Sequence, residues 1–205
     1  MAQMEPLAEL MPNGTHCIDL PGHGCLVGDD PPLSIEKMAE VVLATLTGPT
    51  HLIGYSMGGY VALHLAANHP EHVRSVVTLA TKFHWTPEGA QQEARMLNAE
   101  KVREKVPAFG KMLEDRHGNY WPRVMERTAA LMLALGSAPL LTAAVLAKVK
   151  CPVLLLRGSE DNMVSEAETR WAQSCMTDSR YFELAGQPHP LEKVDMQALV
   201  KAILE

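Results

Sequence analysis

Leu52-Ile53-Gly54-Tyr55-Ser56-Met57-Gly58-Gly59-Tyr60 is an apolar run passing into Gly-x-Ser-x-Gly, and a helical pattern, Val61-Ala62-Leu63-His64-Leu65-Ala66-Ala67, follows directly. This order predicts a strand, a sharp turn at Ser56 and a helix, the context that lifts a serine hydroxyl out of a sheet. At such a turn a histidine can reach the hydroxyl, and the backbone N–H groups that follow point toward developing negative charge. Gly54 and Gly58 are expected to leave room for the close packing of strand against helix. The competing reading is a glycine-rich strand-to-helix turn with an incidental serine. What surrounds the turn weighs against it.

Upstream, Thr15-His16-Cys17-Ile18-Asp19-Leu20 reads as a buried strand running into the turn Pro21-Gly22-His23-Gly24. A short helix over residues 4 to 11, ended by Pro12-Asn13-Gly14, precedes it, and a loop through Asp29-Asp30-Pro31-Pro32 follows. Ser34 then caps a helix whose apolar residues, Ile35, Met38, Ala39, Val42, Leu43 and Leu46, fall on one face. Downstream, Asn68-His69-Pro70 ends the helix behind Ser56, and Val73 to Leu79 reads as a strand. Strands alternating with helices predict a parallel sheet covered on both faces.

The rhythm changes from Lys82 to about Lys148, where helical patterns are broken by Pro87, Pro107, Gly118, Pro122, Gly136 and Pro139. A helical insertion over one end of the sheet is expected, with Thr86-Pro87 opening a helix. Alternation returns with the strand Cys151 to Arg157, a helix over about Glu166 to Cys175, the strand Arg180 to Leu184, the loop Ala185-Gly186-Gln187-Pro188-His189-Pro190 and a closing helix.

The 205 residues fit one domain, or one domain with an insertion, and a net charge of −6 leaves no basic face for a nucleic acid. Cys17, Cys25, Cys151 and Cys175 lie far apart without metal-ligand spacing, so reduced thiols in a cytoplasmic protein are expected. No segment approaches membrane-spanning length. His64, His69 and His72 cluster in sequence, but Pro70 separates them and no cysteine or carboxylate completes a ligand set, so no metal is expected.

In a parallel sheet the loops after the strands emerge at one edge. Ser56, Asp161 and His189 each follow an expected strand. Serine needs a base, a histidine can take and return its proton, and a carboxylate orients that histidine. Glu160 competes with Asp161 for the last role. For His189 the alternative is a broken triad, since proteins that this loop resembles place the base directly after the glycine, and Gly186 is followed here by Gln187.

With Asp19-Leu20-Pro21-Gly22-His23-Gly24, the Gly54 to Gly59 motif, Leu156-Arg157-Gly158-Ser159-Glu160-Asp161 and the late His189, the chain resembles the α/β-hydrolase family over nearly its whole length. The resemblance implies an α/β fold, a mostly parallel sheet flanked by helices, with core segments 1–81 and 149–205 and a helical cap at 82–148. It implies a cofactor-free hydrolase with Ser56 as nucleophile, Asp161 as acid, His189 as base and the backbone N–H of Met57 as an oxyanion donor. His23 belongs to the loop motif and is expected to shape it. Family members carry earlier strands, one ending in a His-Gly loop that supplies the first oxyanion donor, and nothing before Met4 matches that loop. The expectations are a late start, trimming from a longer protein, or direct pairing of residues 15 to 20 with the nucleophile strand.

The expected activity is hydrolysis of a small ester or thioester with an apolar acyl part. Trp85, Trp121 and the methionine-containing cap helices either line the acyl pocket or pack cap against core. The alternatives are a carbon–carbon bond hydrolase or lyase on the same fold, and a ligand-binding protein that has lost the chemistry.

Overall fold

The computed structural model describes residues 3–12, 14–28 and 32–205. The turn residue Asn13 and the loop residues Asp29 to Pro31 lie outside the described residues. The chain opens with helix α1 (Glu5–Leu10), and α2 (Ile35–Thr45) follows the first loops, capped by the Ser34 hydroxyl, which accepts from the Lys37 N–H. Next come strand β1 (Thr50–Tyr55), helix α3 (Met57–Asn68) and strand β2 (Val73–Leu79). Five helices separate β2 from the next strand: α4 (Pro87–Met96), α5 (Ala99–Lys105), α6 (Pro107–His117), α7 (Trp121–Ser137) and α8 (Ala143–Leu146). The chain closes with β3 (Val153–Gly158), α9 (Glu166–Ser174), β4 (Ser179–Leu184) and α10 (Met196–Leu204).

The four strands form one parallel sheet in the order β1-β2-β3-β4. Alternating residues of the strands face opposite layers, as the two-residue period requires. Val76, Val153 and Leu155 pack with α2, α3 and α7, whereas Val77, Leu79, Leu154 and Leu156 pack with α1 and α10. Because β3 is covered on both faces, all six of its residues are buried, and Leu155 is wholly sequestered. The expected mostly parallel, helix-flanked sheet is therefore present.

Residues 15–20 depart from expectation. They form no strand, and among the described residues β1 pairs only with β2. A segment without a neighbouring strand has no ladder to join, and here the Asp19 side chain reaches forward to the next turn. The Asp19 carboxylate accepts from the Cys25 N–H at 3.0 Å and lies 3.1 Å from the Cys25 sulfur. The pairing of residues 15 to 20 with the nucleophile strand is thus not what the structure shows.

Among the helices between β2 and β3, Pro87, Pro107 and Pro122 stand in first helical turns, where a missing N–H costs nothing. Thr86 caps α4 as expected, by accepting from the Gly89 N–H. Gly136 is the last residue but one of α7, which ends at Ser137, so the expected break falls where the helix stops. A Cβ there would collide with Ala90 of α4, so this glycine lets two helices touch. All four cysteines are free thiols. No described helix is long and apolar enough to cross a membrane.

Candidate active site

Ser56 sits between the last residue of β1 and the first of α3 with φ 51° and ψ −115°, in a region where residues other than glycine are costly. Three constraints hold it there. The Ser56 N–H donates to the Leu79 carbonyl at 2.8 Å, the Thr81 hydroxyl donates to the Ser56 carbonyl at 2.9 Å, and the Gly59 N–H donates to that same carbonyl. A Cβ at Gly54 would collide with the backbone of Gly58 and Gly59, and one at Gly59 with the Thr81 hydroxyl. Gly58 itself faces open space, so the close approach belongs to Gly54 and Gly59, contrary to the expectation for Gly58. Met57 opens α3, where first-turn N–H groups have no acceptor within the helix.

Asp161 and His189 come together. His189 Nδ1 lies 2.8 Å from Asp161 Oδ2, with both residues buried. The other carboxylate oxygen accepts from the N–H groups of Met163 and Val164 at 2.8 and 2.9 Å. Burial alone would push the Asp161 carboxyl up, but the hydrogen bond and charge of His189, with those two N–H groups, outweigh it and hold the group below its ordinary range. With Nδ1 committed to the carboxylate, Nε2 remains to exchange a proton. Glu160 is exposed and engages the last loop only through its N–H, donated to the Gln187 carbonyl at 3.0 Å.

That contact explains Gln187. A Cβ at Gly158 would collide with the Gln187 carbonyl, so the glycine that ends β3 admits the last loop against the acid loop. The Gln187 side chain accepts from the Asp195 N–H at 2.8 Å and donates to the Ala185 carbonyl at 3.2 Å. Gln187 shapes the loop, and His189 reaches the carboxylate two residues later.

Ser56, Met57 and His189 line one cavity of about 140 Å³, whose wall is otherwise mostly apolar: Ile35, Tyr60, Trp85, Leu131, Met132 and Leu135. Of the two tryptophans weighed for a pocket, Trp85 lines it and Trp121 does not. Trp121 packs instead with Val102 and Met125, away from the sheet clusters, among the helices between β2 and β3. His23 points its Nδ1 at the Pro21 carbonyl, 3.2 Å away, within its own turn.

Three further side chains brace the site, each with at least one partner remote in sequence. The Tyr55 hydroxyl donates to the His189 carbonyl at 3.0 Å. Arg157 is buried and spans the acid turn. Its Nε donates to the Val164 carbonyl at 2.7 Å, one Nη to the Asp161 carbonyl at 3.0 Å and the other to Glu183 at 2.8 Å. The buried Glu168 carboxylate accepts from the Phe83 and His84 N–H groups and from the Ser165 N–H and hydroxyl, tying the segment after β2 to the acid loop. Only the helix start at Ser165, with glutamate three residues on, carries a local signal for this brace.

Residues 2–201 match the alpha/beta hydrolase family. A pimeloyl-[acyl-carrier protein] methyl ester esterase of Chromobacterium violaceum is 26% identical, over 93% of this chain and 82% of that protein. An enzyme of the same name from Neisseria meningitidis is 40% identical over 50% of this chain, a match that spans about a third (36%) of that protein. Among solved structures, NosK from Streptomyces actuosus superposes with a TM-score of 0.80 at 24% identity, over 99% of this chain and 88% of that one. The enol-lactonase of Burkholderia xenovorans superposes with a TM-score of 0.68 at 22% identity, over 91% and 79%. Together with the parallel sheet and the serine turn, the match over nearly the whole length means that the chain belongs to the α/β hydrolase family, as an esterase-like enzyme.

Proposed function

We propose that the chain is a serine hydrolase that cleaves a small carboxylic ester or thioester with a short apolar acyl part, with residues 82–148 acting as a cap over the site. The observation that carries this reading is the 2.8 Å contact of His189 with Asp161, beside a cavity in which Ser56 is held on strained backbone. In the proposed reaction, Ser56 Oγ attacks the substrate carbonyl carbon while His189 Nε2 takes its proton. Asp161 stabilises the imidazolium, and the Met57 N–H faces the tetrahedral oxyanion. Collapse expels the alcohol or thiol, which receives the proton from His189. Water, deprotonated by the same nitrogen, then releases the acid and restores Ser56.

An apolar cavity of about 150 Å³ holds a benzene-sized molecule, so the 140 Å³ here suits a short acyl chain. The curated relatives are named as methyl ester esterases, which favours an oxygen ester over a thioester. The test is kcat/KM across p-nitrophenyl esters from acetate to decanoate. The expected result is a maximum at about four to six acyl carbons, set by the cavity size, and loss of turnover in Ser56→Ala. Hydrolysis equal in Ser56→Ala would overturn the reading.

A further inference from the structure

Lys82 and Glu93 face each other across the wall of the cavity that holds Ser56. Lys82 follows β2 and Glu93 lies on α4, so the pair joins the sheet side of the cavity to the inserted helices. Lys82 Nζ is 3.2 Å from Glu93 Oε1, and the two side chains are only 23% and 15% exposed. The ammonium is held from two other directions: it donates to the Met163 carbonyl at 3.3 Å and lies 5.6 Å from the centre of the Trp85 ring. It cannot turn toward a ligand without giving up these partners.

A neutral chain passing this wall meets two charges that largely cancel. A carboxylate at the remote end of the chain meets Glu93 as a like charge. To use Lys82 it must displace Glu93 and leave that carboxylate half-sequestered without a counterion, which is costly. A repulsive element of this kind excludes one ligand without adding a contact to the other.

We infer that Glu93 makes the cavity select acyl chains whose remote end is uncharged, and that the Lys82–Glu93 pair determines specificity. The inference rests on the reading of the cavity as the acyl site. Methyl hexanoate and monomethyl adipate test it, because they differ only in a methyl or a carboxylate at the far end. Their Kd values are measured by calorimetry on Ser56→Ala protein, where neither is consumed. The neutral ester is expected to bind at least about tenfold more tightly. Adding Glu93→Gln shifts the ratio toward the anion by about tenfold or more, whereas adding Lys82→Met, which leaves Glu93 uncompensated, shifts it the other way. Opposite shifts are not produced by general loosening of the cavity, and either variant alone suffices if the other does not fold. A ratio unchanged by the variants, or an initial preference for the anion, overturns the inference. Selective binding without hydrolysis of either ester by the unmodified chain would instead refute the hydrolase reading and leave the selectivity standing.

Discussion

The hydroxyl of Tyr55 donates to the backbone carbonyl of His189 at 3.0 Å, so the residue before the proposed nucleophile holds the residue proposed as its base. The two rings also pack at a tilt, 5.6 Å between centroids. Burial, with Glu192 nearby, pushes the phenol above its ordinary range, so it stays protonated and keeps donating at any working pH. Tyr55→Phe keeps the ring and removes the donor. It should cost about 1 kcal/mol in unfolding free energy. It should also lower kcat more than it raises KM, because the loop that carries His189 loses a tether.

Asp161 and Glu160 are adjacent in sequence, but only Asp161 touches His189. Asp161→Asn leaves a side chain that favours the wrong imidazole tautomer and should lower kcat by about 10³- to 10⁴-fold. Glu160→Gln should change it by less than about twofold, as expected for an exposed side chain. Steady-state kinetics of the two variants on one ester check this, and equal losses would contradict the assignment of the acid.

Arg157 holds both ends of the turn that presents Asp161. Arg157→Met strands two buried carbonyls and removes the ion-pair partner of Glu183, at a cost of about 3 kcal/mol. Urea unfolding measures this loss. Arg157→Lys keeps the charge but not the forked geometry and should recover less than half of it.

His117, at the end of α6, accepts the Gly24 N–H on Nδ1 at 3.0 Å and stands edge-on to His23. Burial, then the charges of His23 and Arg116, lower its pKa from 6.5 to about 4. A depressed histidine pKa means that the unfolded chain binds the proton first. This group therefore makes stability fall as pH drops from about 6.5 to about 4, with no further contribution above or below that window. His117→Asn keeps an oxygen acceptor without titrating, and should flatten the pH dependence of Tm within that range. An unchanged slope would mean that other groups control it.

Local pattern made much of this fold legible. The turn at Ser56, the caps at Ser34 and Thr86 and the strand at Val73–Leu79 depend on neighbours within a few residues, and all stand in the structure. Asp161 and His189 were legible because each follows a strand at the carboxyl edge of a parallel sheet. Residues 15–20 misled because a run of strand-like residues carries no information about whether a neighbouring strand exists. Gly136 marks the end of α7 as its type suggests, but its contact with Ala90 of α4 is not written in the residues around it. The brace made by Glu168 is illegible for a related reason. Glu168 meets Phe83 and His84 from 85 and 84 residues away, and only the folded sheet brings those loops together.

The central claim is that Ser56 is a nucleophile activated by His189. Intact mass after brief exposure to a fluorophosphonate probe tests it most directly, because only a serine with a working base reacts quickly. The account predicts one adduct per chain, absent in Ser56→Ala and slowed at least about a hundredfold in His189→Gln. No adduct on the folded chain, or labelling that persists in Ser56→Ala, would contradict it.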